Sequence, residues 1–201
     1  ADRAFPKDVR LAINDAGVVR KPYLAFIRDL IRRGARIDIV GVQMHIFSRE
    51  EVRQVAEGKP CQPNLTDWAP ADQMAAFTLL DTLRRPLHIS EVTIPAPRGL
   101  LPDAEADEAQ ARMIRDNFRL WFSWPSVYRI TYWNLVDGTG AEILASGMYN
   151  KDLTKKPSYW AIDRLVNHEW KTRLRVVADR DGRVRFRGFK GKYEVQRVRF
   201  R

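Results

Sequence analysis

The chain has 201 residues, of which 45% are hydrophobic and 30% charged, a mixture that supports a folded core. No run approaches the roughly 18 apolar residues of a membrane-spanning helix, and the single cysteine, Cys61, excludes an internal disulfide and reads as a half-buried loop thiol. Of 35 Lys/Arg and 25 Asp/Glu, residues 171–201 hold 12 and 3, leaving 23 and 22 in residues 1–170, so a near-neutral body is followed by a basic tail.

The opening Ala1-Asp2-Arg3-Ala4-Phe5-Pro6 has neither the charged nor the apolar region of a leader peptide and reads as chain already in progress. Val9–Ile13 is strand-like and runs into the turn formers Asn14 and Asp15. A helix is predicted from Pro22, with Leu24, Ile27, Leu30 and Ile31 on one face and Gly34 as its stop. Ile37–Val42 is the apolar run of a strand covered on both faces. Ser48–Pro70 is a long connection that leaves a strand's C-terminal end, where such loops are usually functional. Gln73–Leu83 is helical, with Met74, Phe77, Leu80 and Leu83 as its apolar face. Pro86–Ser90 forms a third strand leading to Glu91, and a helix with an acidic first turn follows from Asp103 to Trp121. Val127–Trp133 is a fourth strand, and Lys156–Trp170 closes the body as a helix.

Four successive strand–helix units predict an α/β fold with a parallel sheet covered by helices, over residues 1–170. The tail, 171–201, reads differently. Arg173–Val177, Arg183–Arg187 and Tyr193–Phe200 alternate polar and apolar residues, and Asp181-Gly182 is a two-residue hairpin signal. A small antiparallel β appendage with an arginine-rich face is expected there.

In βα repeats the C-terminal ends of the strands converge on one site. Those ends carry Gln43, Met44 and His45, then Glu91 and Thr93, then Trp133, Asn134 and Asp137. A carboxylate, an imidazole, amides and an indole suit a sugar, because the indole stacks on a pyranose ring and the others bond its hydroxyls. Each residue alone has a plainer reading: His45 bonded to backbone, Glu91 paired with an arginine, Trp133 filling a core. Their joint appearance at equivalent strand ends favours a ligand site. His45, His88 and His168 lack zinc-ligand spacing, so no metal is expected.

Five segments in order resemble the motifs of glycoside hydrolase family 10, the xylanase type. RLAINDAG is similar to the fifth-strand motif and RRGARIDIVGVQMHIF to the sixth, with its Gly-x-Gln-x-His. LHISEVTI is similar to the nucleophile motif of the seventh strand, and ITYWNLVDG and GMYNKDLTKKPSYWAI to the eighth-strand motif and the one after it. The resemblance implies the C-terminal part of a (β/α)8 TIM barrel, strands 5 to 8. It further implies a retaining hydrolase of β-1,4-xylan or a related β-1,4-glycan, without cofactor, secreted, periplasmic or at the cell surface of a bacterium. Glu91 matches the nucleophile and His45 the histidine that orients and tunes it. Gln43 and Trp133 match the glycone side of the cleft, and Asn14 and Asp15 positions near its aglycone side. The family's general acid/base glutamate lies in a fourth-strand motif with no counterpart here, so the N-terminal half of the barrel is expected as the chain's partner and residues 1–201 alone are expected to be inactive.

Three positions depart from the family pattern. Thr93 stands where the family has an aspartate, giving the histidine a hydrogen bond without a negative charge. Ala16-Gly17 replace Tyr-Asn, and Asn134 replaces Gly. These changes leave open a non-catalytic or altered-specificity carbohydrate-binding relative. An arginine-rich ribbon also suits polyanions, either nucleic acid or acidic polysaccharide, but the tail resembles the short sheet that follows the barrel in some bacterial members, and nucleic acid is not expected as a partner.

Overall fold

A computed structural model describes residues 4–16, 21–59, 70–139 and 145–196. Cys61 and Gly17 lie outside these ranges, as does the end of the tail's third run. The chain divides into two compact units, Ala1–Ile162 and Asp163–Arg201.

The first unit follows the βα alternation. Its elements are β1 (Ala12–Asp15), α1 (Lys21–Arg32), β2 (Ile39–His45), α2 (Arg49–Ala56), α3 (Pro70–Asp81), β3 (Leu87–Thr93), α4 (Asp103–Ser123) and β4 (Val127–Ile130). The strands form one parallel sheet in the order β1-β2-β3-β4, so sequence neighbours are sheet neighbours, as helical crossovers demand. The first helix stops for a local reason. After α1, Gly34 takes φ +84° and donates to the Ile31 carbonyl, while Ala35 donates to Leu30, closing the last turn.

The core lies on the side of the sheet that carries Val40, Val42 and Met44 of β2 and Leu87, Ile89 and Val92 of β3, all essentially inaccessible. Ile27, Phe77, Leu80, Ile114 and Trp121 from the helices are equally buried. Each such side chain contributes about 1.5–3 kcal/mol. The expected apolar face of α3 is shifted at one position. Met74 is exposed, whereas Gln73 is buried, donating to Asn117 Oδ1 (2.8 Å) and accepting from Trp121 Nε1 (2.7 Å). A spacing rule sees only apolar residues and passes over a polar one whose bonds are all met inside.

The connection after β2 is not structureless. Ser48 caps α2, its hydroxyl accepting from Glu51 N–H at 3.3 Å. The Ser48-Arg49-Glu50-Glu51 string is the capping signal that marks such a helix.

In the second unit a π-helical turn, Leu165–Glu169, follows α5 (Pro157–Arg164), which spans the division in sequence. The expected antiparallel appendage is not formed as a sheet, since no strand occurs among described residues 171–196. The hairpin turn itself is present. Gly182 has φ +77°, its N–H and the Arg183 carbonyl both bond Asp179, and Asp179 Oδ1 accepts from the N–H groups of Asp181 and Arg183. Beyond that turn the ladder fails, because the alternating apolar side chains stay exposed: Val177 keeps 88% of its surface and Val195 86%. A short ribbon without a buried face is marginal in water, and facing arginines repel.

Candidate active site

The position of Glu91 depends on an irregularity in the sheet. Val42 of β2 pairs with Ile89, yet the next residue, Gln43, pairs with Glu91, so β3 carries one extra residue at Ser90. Without it, strict alternation would send Glu91 to the same side as Leu87 and Ile89, into the core. The bulge re-aims it. Ser90 and Glu91 now both meet Asn14: the Ser90 hydroxyl donates to Asn14 Oδ1 (2.6 Å), and Asn14 Nδ2 donates to Glu91 Oε1 (3.2 Å).

Two further donors converge on the same carboxylate from β2. Gln43 Nε2 lies 3.0 Å from Oε1 and His45 Nε2 3.0 Å from Oε2. Three donors from two neighbouring strands thus hold both oxygens in one orientation, while the Glu91 side chain keeps 21% of its surface and His45 11%. A carboxylate oxygen accepts only, so His45 carries its proton on Nε2. On the opposite ring edge Nδ1 lies 2.8 Å from the hydroxyl of Thr93, which is fully buried. In the neutral imidazole that nitrogen accepts the Thr93 proton, fixing both ring plane and tautomer.

Asn14 is seated by a glycine. A Cβ on Gly41 would stand 2.7 Å from Asn14 Oδ1 and 2.9 Å from the Ile13 carbonyl, so only glycine lets Asn14 lie across β2. Tyr23 of α1 locks the same spot from the helix side, its hydroxyl donating to Gly41 O (2.9 Å). Burial, with Asp15 adding to it, pushes that phenol well above its usual value, so it acts as a fixed donor. Tyr23 was not among the sequence candidates. Its only signal is an aromatic within the apolar face of α1.

Aromatic rings flank the imidazole. Trp133 donates its backbone N–H to Val92 O and presents its ring edge-on to His45 at 6.2 Å, with 49% of the residue exposed. Phe47 stacks on His45 at 5.1 Å and 19° and is 66% exposed. It too escaped the sequence reading, although residues 43, 45 and 47 share the alternation of β2. The turn after Trp133 needs a left-handed residue, and Asn134 supplies it at φ +69°, which asparagine tolerates and glycine favours.

Asn14, Gln43, His45, Glu91, Thr93 and Trp133 therefore come together, whereas Asp15 and Asp137 do not join them. Asp15 is exposed and folds back on the N–H of Ala16 (2.6 Å). Asp137 enters a sealed ionic cluster. Its carboxylate meets the ammonium of the fully buried Lys156 at 3.2 Å and accepts from Gly147 N–H at 2.7 Å. Arg98 forks onto Asp107 at 2.7 and 3.0 Å and comes within 3.8 Å of Asp137. Burial pushes the Lys156 ammonium below the ordinary lysine value, with Asp137 and Asp107 drawing it back up. Among the described residues no group of three or more His, Cys, Asp or Glu could hold a metal ion.

A carboxylate held by amides and an imidazole and about one-fifth open to solvent, with an indole and a phenyl ring flanking that imidazole, has the parts to attack or steady a sugar carbon. Solved structures share the fold. Xylanase 10B from Thermotoga maritima is 20% identical, with a TM-score of 0.60 over 81% of this chain and 48% of its own. The N-terminal endo-1,4-beta-D-xylanase 10B of Clostridium thermocellum, in complex with xylohexaose, is 18% identical, with a TM-score of 0.61 over 82% of this chain and 31% of its own. An intracellular xylanase from Thermoanaerobacterium saccharolyticum, in complex with xylotetraose, gives 20%, 0.57, 77% and 44%. This chain thus spans less than half the length of each. No curated protein matches it. The family model described as glycosyl hydrolase family 10 matches residues 1–165, and the chain belongs to that family.

Proposed function

We propose that this chain is the C-terminal half of a (β/α)8 barrel, strands 5 to 8, and supplies the nucleophile side of a retaining hydrolase of β-1,4-xylan. The observation that carries this reading is the Glu91 carboxylate, aimed out of β3 by a bulge and held at both oxygens by Asn14, Gln43 and His45. Family membership and the xylo-oligosaccharides bound by structural neighbours support xylan as substrate.

In this mechanism a Glu91 oxygen attacks the anomeric carbon as the bond to the leaving oxygen breaks, and an acid/base carboxyl protonates that oxygen. Water, deprotonated by the same acid/base group, then attacks the anomeric carbon and releases Glu91. The partner carboxyl belongs about 5–5.5 Å from Glu91, the separation of a retaining pair. The family's fourth-strand motif has no match in residues 1–201, so we assign this group to chain beyond this sequence, and residues 1–201 alone should leave xylan intact. His45 orients Glu91 and Thr93 sets the tautomer of His45. Gln43 and Trp133 line the glycone side, and Asn14 and Asp15 the side of the leaving sugars. Secretion to the periplasm, cell surface or medium of a bacterium goes with a polymeric substrate.

The test is mechanism-based trapping. A 2-fluoro xylobioside with a good leaving group, incubated with the protein that carries this chain, should label one peptide, at Glu91. Labelling of another carboxylate overturns the assignment. Binding of xylo-oligosaccharides with neither label nor turnover supports the non-catalytic alternative, which the small Ala16 beside Asp15 favours by narrowing the contact surface.

A further inference from the structure

The second unit holds a charge concentration that the Glu91 site does not use. Described residues 171–196 carry nine Lys/Arg against three Asp/Glu. The acids are already occupied: Asp179 caps the turn through two backbone N–H groups, Asp181 meets Arg183 at 3.7 Å, and Glu194 accepts from Gln196. Among the described residues, Arg173, Arg175, Arg180, Arg185 and Arg187 make neither ion pair nor hydrogen bond.

The chain that carries these cations folds back on itself. Thr172 Oγ1 accepts from Phe189 N–H (2.9 Å) and lies 3.3 Å from the Tyr193 hydroxyl, and the rings of Phe186 and Tyr193 pack edge to face at 5.2 Å. A Cβ on Gly188 would strike the Tyr193 hydroxyl and Thr172, so three runs of the tail approach closely there. Gathering unpaired guanidiniums in one small unit costs self-repulsion, which a bound polyanion would relieve. Between the arginines, Leu174, Val176, Phe186, Phe189 and Tyr193 keep 41–55% of their surface exposed.

The guanidinium fork fits carboxylate and phosphate alike. Two observations favour carboxylate on a sugar polymer. The chain belongs to a family of glycosyl hydrolases, which makes a glycan the polymer to expect, and Phe186 and Tyr193 pack edge to face beside the arginines in sequence. Their exposed apolar surface, with that of Leu174 and Val176, suits the flat faces of pyranose rings. We propose that residues 171–196 form a docking surface for uronate-bearing polysaccharide, with Arg173, Arg175, Arg185 and Arg187 taking the carboxylates. This rests on the glycan-hydrolase reading for the identity of the polymer.

Affinity electrophoresis tests it on the whole protein that carries this chain, in gels containing glucuronoxylan or the same polymer with its carboxyls reduced to alcohols. Retardation should be at least about tenfold stronger with the intact polymer and should fade as salt rises from about 50 to 200 mM. The variant with Arg173, Arg175, Arg185 and Arg187 all changed to Gln should lose it while hydrolysing neutral xylohexaose at the parent rate, which also shows that it is folded. Equal retardation by both polymers, or by variant and parent, overturns the proposal. So does displacement of the polymer by duplex DNA at lower charge concentration, which would make the surface a nucleic-acid site. Polymer retardation without xylohexaose hydrolysis would instead sink the glycosidase reading and leave the docking surface standing.

Discussion

Glu91 lies within β3 and Asp137 beyond β4 of the same parallel sheet, and both are surrounded by donors, yet the two carboxylates are built for different ends. Glu91 is met by two amides and an imidazole, none a permanent cation, and it keeps a fifth of its surface. Asp137 is met by a buried ammonium, a backbone N–H and a nearby guanidinium, and keeps 6%. The first carboxylate is oriented but not neutralised, which leaves its charge for the attack proposed above. The second is spent on holding together the loops after β3 and β4. A carboxylate at a strand end marks a site only when its partners leave it something to do.

Mutating the two clusters should separate chemistry from stability. In the whole protein that carries this chain, on the proposed glycosidase reading, Glu91→Gln keeps the size and loses the charge, so kcat should fall by several orders of magnitude while the melting temperature and xylo-oligosaccharide binding hardly move. Thermal denaturation and calorimetry alongside the rate assay check this, and a melting temperature that drops with the rate would erase the contrast. Asp137→Leu leaves the buried Lys156 with only the more distant Asp107, at 3.8 Å, and should cost about 3 kcal/mol. Denaturant unfolding measures it, and a loss below about 1 kcal/mol would mean that the cluster is not sealed.

Smaller effects sharpen the picture of the open site. Gly41→Ala pushes Asn14 off Glu91 and strains the sheet, so kcat/KM should fall roughly tenfold with about 1–3 kcal/mol of stability. Asn14→Ala should reproduce the kinetic part alone. Thr93→Val removes one hydroxyl at constant shape and leaves Nδ1 of His45 unbonded, at a cost of about 1–3 kcal/mol. Nitrogen NMR of His45 should then show the tautomer mixture shift, and Thr93→Ser should restore it. An unchanged spectrum in Thr93→Val would remove Thr93 from the site.

The smallest effect concerns His88, on the open face of the sheet, where it bonds Thr131 and packs against Tyr128. Burial, and then Arg129, push its pKa below the ordinary 6.5. Its folded value lies below its unfolded value, so its contribution is full above about pH 6.5 and is lost as the pH falls from there through the lower folded value. His88→Gln should flatten the decline of the melting temperature between about pH 7 and 5. An equally steep decline in the variant would show that His88 does not carry it.

Much of this was legible in the chain itself. Strand order, parallel pairing and the helices α1, α3, α4 and α5 follow from short apolar runs alternating with amphipathic stretches, because a crossover helix leaves the next strand little choice of neighbour. The strand-end rule picked out Gln43, His45, Glu91, Thr93 and Trp133. It failed at Asp137, since spacing along a strand does not say whether a lysine nineteen residues later will fold over the carboxylate. It also missed Phe47 and Tyr23, whose apolar character reads as core until the sheet shows what each ring touches.

Residue types and their periods, then, determined by themselves the α/β class and the polar residues gathered at the strand ends, and the resemblance of five motifs pointed to the family. Two decisions belonged to the tertiary structure alone. One was the side on which Glu91 emerges, set by an extra residue in β3 where it pairs with β2, which no alternation pattern announces. The other was the state of the tail, whose alternating arginines promise a sheet. A strand pattern becomes a strand only when its apolar side chains find something to cover them, and those of residues 173–195 stay in water.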